Sequence, residues 1–339
     1  MSQSVAVFGA YGHTGRFVVT ELRERGFVPL LLGRDEGKLR ALAESFEYRV
    51  TSVDDPASLD RALTGADAVI NCAGPFASTA APVIEAALRA GIPYVDVAAE
   101  IEANVDTFAH FAERARTASV AVVPAMAFFG GLGDLLVTAA MGDWTSADEA
   151  HIAYGLSSWH PTAGTLAAGT VSRERRAGRR VRYTGGRLEY YVDEHDLPRM
   201  DWDFPEPLGR RSVLGEFTMA DVVTVPSHLV IPEVRTYMTA DAATGLAAGN
   251  EPVAVDALGR SAQTFTVDVI VRSGDTQRRV VASGQDIYAI SAPLAVEAVR
   301  RILTGQTRTS GVASAGKIFD ALDFLRALSP SISVELVGG

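Results

Sequence analysis

The stretch Val5-Ala6-Val7-Phe8-Gly9-Ala10-Tyr11-Gly12-His13-Thr14-Gly15 decides the fold. Four apolar residues in a row predict a strand buried on both faces. A glycine-rich turn follows, and from Gly15 to about Arg25 the side chains of Phe17, Val18 and Leu22 fall on one helical face. Each glycine answers a separate need. Gly9 permits a tight turn, Gly12 lets backbone approach a pyrophosphate, and Gly15 lets the helix pack closely on the strand. A bound anion then meets the unpaired N–H groups at the positive helix end, with Tyr11, His13 and Thr14 around it. Three glycines alone also occur in turns without a ligand. Their place between a buried strand and a helix is what points to a dinucleotide.

Outward from this point the alternation continues. Strands are expected at residues 28–32, 48–53, 68–71, 94–98 and 120–124, and helices at 38–45, 57–63, 81–90 and 105–118. This spacing predicts βαβ units, right-handed crossovers and a parallel sheet. After about Pro124 the pattern changes. Residues 149–156 and 264–272 alternate apolar and polar side chains, as in a sheet with one solvated face, and more strands are expected at 187–192, 234–239 and 278–282. A helix is expected at 162–176, and a long loop at 194–215 because it holds Pro198, Pro205 and Pro207. Helices at 294–303 and 317–328 should pack back on the first domain. The fold class is α/β: a Rossmann-type doubly wound parallel sheet with an inserted α+β domain carrying a mainly antiparallel sheet. Its expected divisions are residues 1–125, 126–285 and 286–339.

The 339 residues suffice for about two domains and a full core without staples. A net charge of −10 makes nucleic acid and anionic membrane surfaces poor partners and leaves a small-molecule substrate, with a homodimer as a further expectation. Cys72 is the only cysteine, which excludes an intramolecular disulfide and any multi-cysteine metal site. No signal-peptide pattern or membrane-length apolar run is read, so a cytoplasmic location is expected.

Cofactor choice is read at the end of the second strand, where an NAD site usually carries Asp or Glu for the ribose hydroxyls. Leu32-Gly33-Arg34 stands there instead. Gly33 leaves room for a 2′-phosphate, Arg34 offers charge-assisted hydrogen bonds, and Lys38 adds a second positive charge. NADP is therefore expected. The competing reading puts Asp35 on the ribose and Arg34 in solvent. Asp54 is a candidate for the adenine, or else a cap before Pro56. Asn71-Cys72-Ala73-Gly74-Pro75-Phe76 should run along the pyrophosphate and nicotinamide ribose, its small residues allowing close approach. Cys72 itself reads as core filler.

Reduction needs a proton donor unless the acceptor is already charged. A Tyr-x-x-x-Lys pair is excluded, because lysine occurs only at Lys38 and Lys317 and neither residue 34 nor residue 313 is tyrosine. His160, at a strand-to-helix junction, is a candidate donor, against the reading of a hydrogen-bonded loop histidine. Tyr154 on the preceding strand is a second, against ordinary sheet packing. Asp96, ending the fifth strand, is a third, against a loop or capping acid. Arg173, Arg175, Arg176, Arg179, Arg180 and Arg182 could bind a carboxylate or phosphate substrate, or the acidic run at residues 193–196 of a partner subunit, or form a solvated helix end. Asp193-Glu194-His195-Asp196 holds metal-ligand types, but adjacency suits a turn, and no metal is expected.

Residues 9–15, Gly33-Arg34, residues 71–76 and Pro93-Tyr94-Val95-Asp96 together resemble the saccharopine dehydrogenase-like NADP-binding family, which includes saccharopine reductases and trans-acting enoyl reductases. Ser283-Gly284-Gln285-Asp286-Ile287-Tyr288 and residues 311–328 look like that family's carboxyl-terminal return, while the middle of the chain matches only in pattern. The resemblance implies an NADPH-dependent oxidoreductase acting on a C=N or C=O bond. Two alternatives stay open: enoyl reduction of C=C, and a redox sensor that binds NADP without turnover. The enoyl branch usually carries a Gly-Phe-Asp or Pro-Ser-Asp-like run after the sixth strand. Ala127-Phe128-Phe129-Gly130-Gly131-Leu132-Gly133-Asp134 keeps only the final acid, so that branch's substrate does not carry over.

Overall fold

A computed structural model describes residues 3–43 and 45–337. The first half runs β1 (Ser4–Phe8), α1 (His13–Glu24), β2 (Val28–Gly33), α2 (Glu36–Ala43), β3 (Tyr48–Val50), α3 (Pro56–Leu63), β4 (Ala68–Asn71), α4 (Phe76–Ala90), β5 (Tyr94–Asp96), α5 (Ile101–Ala118) and β6 (Ala121–Val123). A π-turn at Phe128–Leu132 leads to α6 (Gly133–Met141) and β7 (Glu149–Leu156). Then come α7 (Ala163–Arg175), β8 (Arg180–Thr184), β9 (Arg187–Tyr191), β10 (Arg199–Asp203), β11 (Arg210–Gly215), α8 (Asp221–Thr224), β12 (Glu233–Thr239) and α9 (Ala240–Ala248). The chain closes with β13 (Thr264–Ser273), β14 (Thr276–Gln285), α10 (Ser291–Leu303), β15 (Gly311–Val312), α11 (Ala315–Ile318), α12 (Ala321–Ala327) and β16 (Ile332–Val337).

The first sheet has strand order β15-β6-β5-β4-β1-β2-β3, and every pairing in it is parallel. Strand order reverses at β1, so the crevice beyond the carboxyl ends of β1 and β4 is where such sheets bind ligands. Val5 and Val7 face one buried cluster and Ala6 and Phe8 the other, which is why the strand reads as an unbroken apolar run. The second sheet is ordered β10-β11-β12-β7-β13-β14-β16, with β8 and β9 beside β12. Only β12 and β7 run parallel; the other pairs are antiparallel.

Five expectations are corrected. The expected loop 194–215 holds the hairpin β10–β11, its prolines flanking the strands, and Trp202 and Phe204 from it cover the outer face of the second sheet with Tyr237. That cover buries β7 on both faces, so its alternation does not mean one solvated face. The expected helix 81–90 begins five residues earlier, at Phe76, which aims its positive end at the crevice. The expected helix 317–328 is two short ones, because Phe319 is extended and the Asp320 carboxylate caps a new helix by accepting from the Asp323 N–H at 3.0 Å. The carboxyl-terminal segment also divides: α10 packs on α1 and β15 extends the first sheet, whereas β16 extends the second. No helix among the described residues is long and apolar enough to cross a membrane.

Candidate functional site

A cleft of about 1920 Å³ opens between the two sheets, with the glycine loop on one side. The loop's shape is forced by backbone proximity. Gly9 has φ +83°, and a Cβ there would lie 2.8 Å from the Ala73 Cβ. A Cβ at Gly15 would lie 2.2 Å from the Gly9 carbonyl oxygen, so Gly15 is buried packing and does not line the cleft. Gly12 is the N-cap of α1 and supplies no side-chain cap, which leaves the helix-start N–H groups available to an anion. Thr14 and Tyr11 line the cleft beside it.

The positive end of α4 is differently placed. Glu100 accepts from the Phe76 N–H at 2.7 Å and the Ala77 N–H at 3.0 Å, so a carboxylate of the chain itself already caps that helix. Burial raises the Glu100 pKa, partly offset by these two bonds. Of the two helix starts, that of α1 is the one without a side-chain cap.

At the end of β2 the residues of the two competing readings are placed differently. Asp35 accepts from the Lys38 N–H at 3.0 Å, capping α2, and does not line the cleft. Arg34 and Lys38 do line it, and among the described residues Arg34 has no carboxylate partner. Lys38 lies 3.7 Å from Asp35 and 5.6 Å from the Tyr11 ring centre. One detail is corrected. The space left by Gly33 holds the Tyr11 ring, whose Cε1 would be 2.5 Å from a Cβ at residue 33. Gly33 thus seats a tyrosine rather than directly clearing room for a phosphate.

Asp54 is exposed, lines the cleft and accepts from the Ser52 hydroxyl at 3.0 Å; the cap before Pro56 is Asp55, which accepts from the Ser58 N–H at 2.9 Å. Ala73, Gly74, Pro75 and Phe76 line the cleft, with a cis bond between Gly74 and Pro75. Asn71 does not. It is fully buried, donates to the Tyr94 hydroxyl at 3.1 Å and accepts from the Ala73 N–H at 3.0 Å, so it braces the loop from beneath. Cys72 lines the cleft, and burial pushes its thiol far above the usual range.

The three expected acid–base residues all sit outside the cleft lining. Asp96 is buried and binds the Tyr94 hydroxyl at 2.9 Å and the N–H groups of Ala98 and Ala125 at 3.0 and 2.8 Å. Tyr154 is fully buried behind Phe128 and Phe129, and donates to Asp221 at 2.8 Å. His160 is half-buried, with Nδ1 lacking a partner, and its carbonyl accepts from the Tyr288 hydroxyl at 3.4 Å. Asp134 likewise lies in the core, 2.7 Å from His228 Nε2 and bound to the Gly316 N–H.

What faces the cleft instead was hard to find by motif. Phe128 and Phe129 come from the π-turn, whose Gly130 adopts φ +99°. Trp159 and Tyr288 join them. The Tyr288 hydroxyl accepts from Trp159 Nε1 at 3.2 Å and the Thr162 N–H at 3.3 Å, and pairs with the Thr165 hydroxyl at 3.0 Å. Its ring meets the edge of His13, 5.2 Å between centres, so one residue ties the start of α7 to the glycine loop. Burial lowers the His13 pKa, which favours a neutral ring in the glycine loop. Tyr288 stays in place because Asp286, fully buried at φ +59°, accepts from the N–H groups of Tyr288 and Ala289 at 2.9 and 3.0 Å. The sequence signal was Asp286-Ile287-Tyr288, visible only as part of a family likeness.

Asp221, behind this wall, makes a pH prediction. Burial pushes its carboxyl up to about 6, against about 3.9 in an unfolded chain. Between those values the folded state holds the extra proton, so this group's contribution to stability falls as pH rises from about 4 to about 6. Asp221→Asn is therefore expected to gain stability relative to wild type over that interval, by up to about 3 kcal/mol. Urea unfolding at several pH values measures it, and a pH-independent difference would contradict it.

Similarity to known proteins agrees with this geometry. Residues 5–123 match the family model described as Saccharopine dehydrogenase NADP binding domain. A protein named "Probable mitochondrial saccharopine dehydrogenase-like oxidoreductase" from Arabidopsis thaliana is 30% identical over 142 residues, covering 37% of this chain and 31% of the relative. A saccharopine dehydrogenase-like oxidoreductase from Homo sapiens is 29% identical over 117 residues, covering 28% of this chain and 27% of the relative. The matched part is thus about a third or less of these relatives' length. Apo saccharopine dehydrogenase (L-Glu forming) from Saccharomyces cerevisiae superposes with a TM-score of 0.64 over 99% of this chain and 100% of that one at 11% identity, a likeness of fold alone. Residues 5–123 of this chain are thus similar to the saccharopine dehydrogenase NADP-binding domain, and the chain as a whole resembles saccharopine dehydrogenase in fold alone.

Proposed function

We propose that the chain is an NADPH-dependent oxidoreductase that reduces a C=N or C=O bond of a small metabolite held in the cleft between the two sheets. The observation that carries this reading is Arg34, lining the cleft without a carboxylate partner while Asp35 is turned away to cap α2. An unpaired guanidinium beside Lys38 suits a 2′-phosphate, and a ribose alone would give it nothing to pair with. Gly12 and the uncapped start of α1 take the pyrophosphate, with Gly9 and Gly15 fixing the loop and Tyr11, His13 and Thr14 around it. Asp54 lies on the adenosine side, and residues 73–76 border the nicotinamide ribose.

NADPH supplies a hydride when bound. The chain's own part is to position and to exclude water. Phe128, Phe129 and Trp159 form an apolar wall in the cleft, held from behind by Tyr154 and Asp221. Asp96 and Asn71 hold the strand ends beneath the nicotinamide side, and His160 supports the Tyr288 clasp through its carbonyl. In this reading the expected acid–base residues are supports. A cytoplasmic site of action and a homodimeric assembly belong to the same reading.

The test is titration with NADPH and NADH, followed by loss of reduced-nicotinamide absorbance with a panel of imines, ketones and enones. Turnover with imines or ketones is the expected result. Turnover with enones alone would move the chain to the enoyl-reducing branch. Tight NADPH binding with no turnover across the panel would favour a sensor.

A further inference from the structure

The cleft is larger than one nucleotide requires. At about 1920 Å³, it is roughly twice the upper end of the usual range of about 300–1,000 Å³ for small-molecule pockets. The part away from the glycine loop has its own chemistry. A row of rings lines it: Phe129 and Trp159 have centres 5.2 Å apart, and Trp159 and Phe217 6.1 Å. Beyond Phe217 the chain is tied to a strand that carries a cation. Thr218, next to Phe217, donates to the Val181 carbonyl at 2.8 Å, which brings the rings to the start of β8 and thus to Arg180.

Arg180 lines the cleft with a donor to spare. One nitrogen, Nη2, donates to the His195 carbonyl. The other, Nη1, is buried without a hydrogen-bond partner, and Asp193 is 3.6 Å from it. Arg173 and Arg179 also line the cleft and have no carboxylate partner among the described residues; Arg179 lies over the Tyr190 ring instead. Most arginines outside the cleft are ion-paired, as an acidic chain of net charge −10 allows. Arg173 and Arg179, left without a carboxylate among the described residues, and the Arg180 Nη1, which Asp193 approaches without accepting a hydrogen bond, are placed to meet an anion from outside. A buried N–H without a partner is costly, and a planar oxyanion matches the fork of an arginine.

We infer that the substrate carries an oxyanion, carboxylate or phosphate, bound by Arg180 with Arg173 and Arg179 nearby, on a flat apolar body lying along Phe129, Trp159 and Phe217. This rests on the proposed NADPH-dependent reaction for the word substrate, but the binding site stands on its own contacts. Small polar carbonyl compounds would leave the rings without a partner, and neutral apolar ones would leave the Arg180 Nη1 without a hydrogen bond.

Calorimetry with the full chain tests it, using 2-naphthoate, 2-naphthyl phosphate, 2-naphthamide and acetate, each with and without saturating NADP⁺. At least one naphthyl anion should bind about tenfold or more tightly than the amide, as expected for a charge-assisted pair, and acetate should bind weakest. Which anion wins tells carboxylate from phosphate. Arg180→Gln should reduce that anion to the level of the amide and leave NADP⁺ affinity unchanged. Because Arg180 also holds the His195 carbonyl, the exposed pair Arg173→Gln/Arg179→Gln provides a second variant, expected to lower anion affinity several-fold. Equal binding of amide and anions by wild type would overturn the inference, as would a preference that survives in a folded Arg180→Gln protein. NADP⁺ titration alone decides the cofactor reading, so the two failures are distinguishable.

Discussion

A Gly12→Val variant should fold normally and lose both NADPH and NADH, each by about 100-fold or more. Residue 12 sits at φ −66° and ψ 166°, a conformation valine adopts without strain. Its Cβ would lie 3.1 Å from the Gly9 carbonyl oxygen, tight but within reach of a small shift. The methyl groups would then stand over the start of α1, where the pyrophosphate must approach backbone N–H groups. Gly15→Val provides the contrast. A Cβ there would meet the Gly9 and Ala10 carbonyl oxygens at 2.2 and 2.9 Å, backbone on both counts, so that variant should fail to fold. Circular dichroism and nucleotide titration on the two variants measure the pair. Retained cofactor affinity in a folded Gly12→Val protein would remove the pyrophosphate from this loop.

Arg34→Ala should weaken NADPH by about 10- to 100-fold while changing NADH affinity little. The magnitude follows from hydrogen bonds to a charged group, worth about 1.5–3 kcal/mol. Arg34 is exposed and forms no ion pair among the described residues, so its removal should cost the fold almost nothing. Equal losses for both nucleotides would mean that the guanidinium acts on a feature they share, such as the pyrophosphate. A gain in NADH affinity would fit removal of a positive charge that awaits a phosphate.

The glycine-loop side of the cleft was legible because its chemistry is local. Three glycines within seven residues, then an arginine one strand later, each constrain backbone or charge where they stand. Even there, two details needed coordinates. Gly33 seats the Tyr11 ring, and Asn71 braces its loop from below. The substrate side was much less legible. His160 and Tyr154 looked like acid–base candidates because of where they fall on strand and loop, but which way a side chain faces across a sheet depends on what packs there. Tyr154 turns to Asp221, 67 positions later in the chain, and Tyr288 reaches Thr162 across 126 positions. No spacing rule spans such distances.

By itself, the sequence pointed to the parallel α/β sheet and the glycine-rich turn between its first strand and helix, and to the expectation of a phosphorylated cofactor. Periodicity, turn chemistry and charge act over a few residues and so survive in the linear text. Only the tertiary structure decided that the segment around residues 194–215 is a hairpin covering the second sheet, and that β15 and β16 divide between two sheets. Only it showed that the aromatic wall shares its cleft with an arginine whose buried Nη1 has no hydrogen-bond partner. Those features depend on burial, and burial is a property of surfaces brought together from distant parts of the chain.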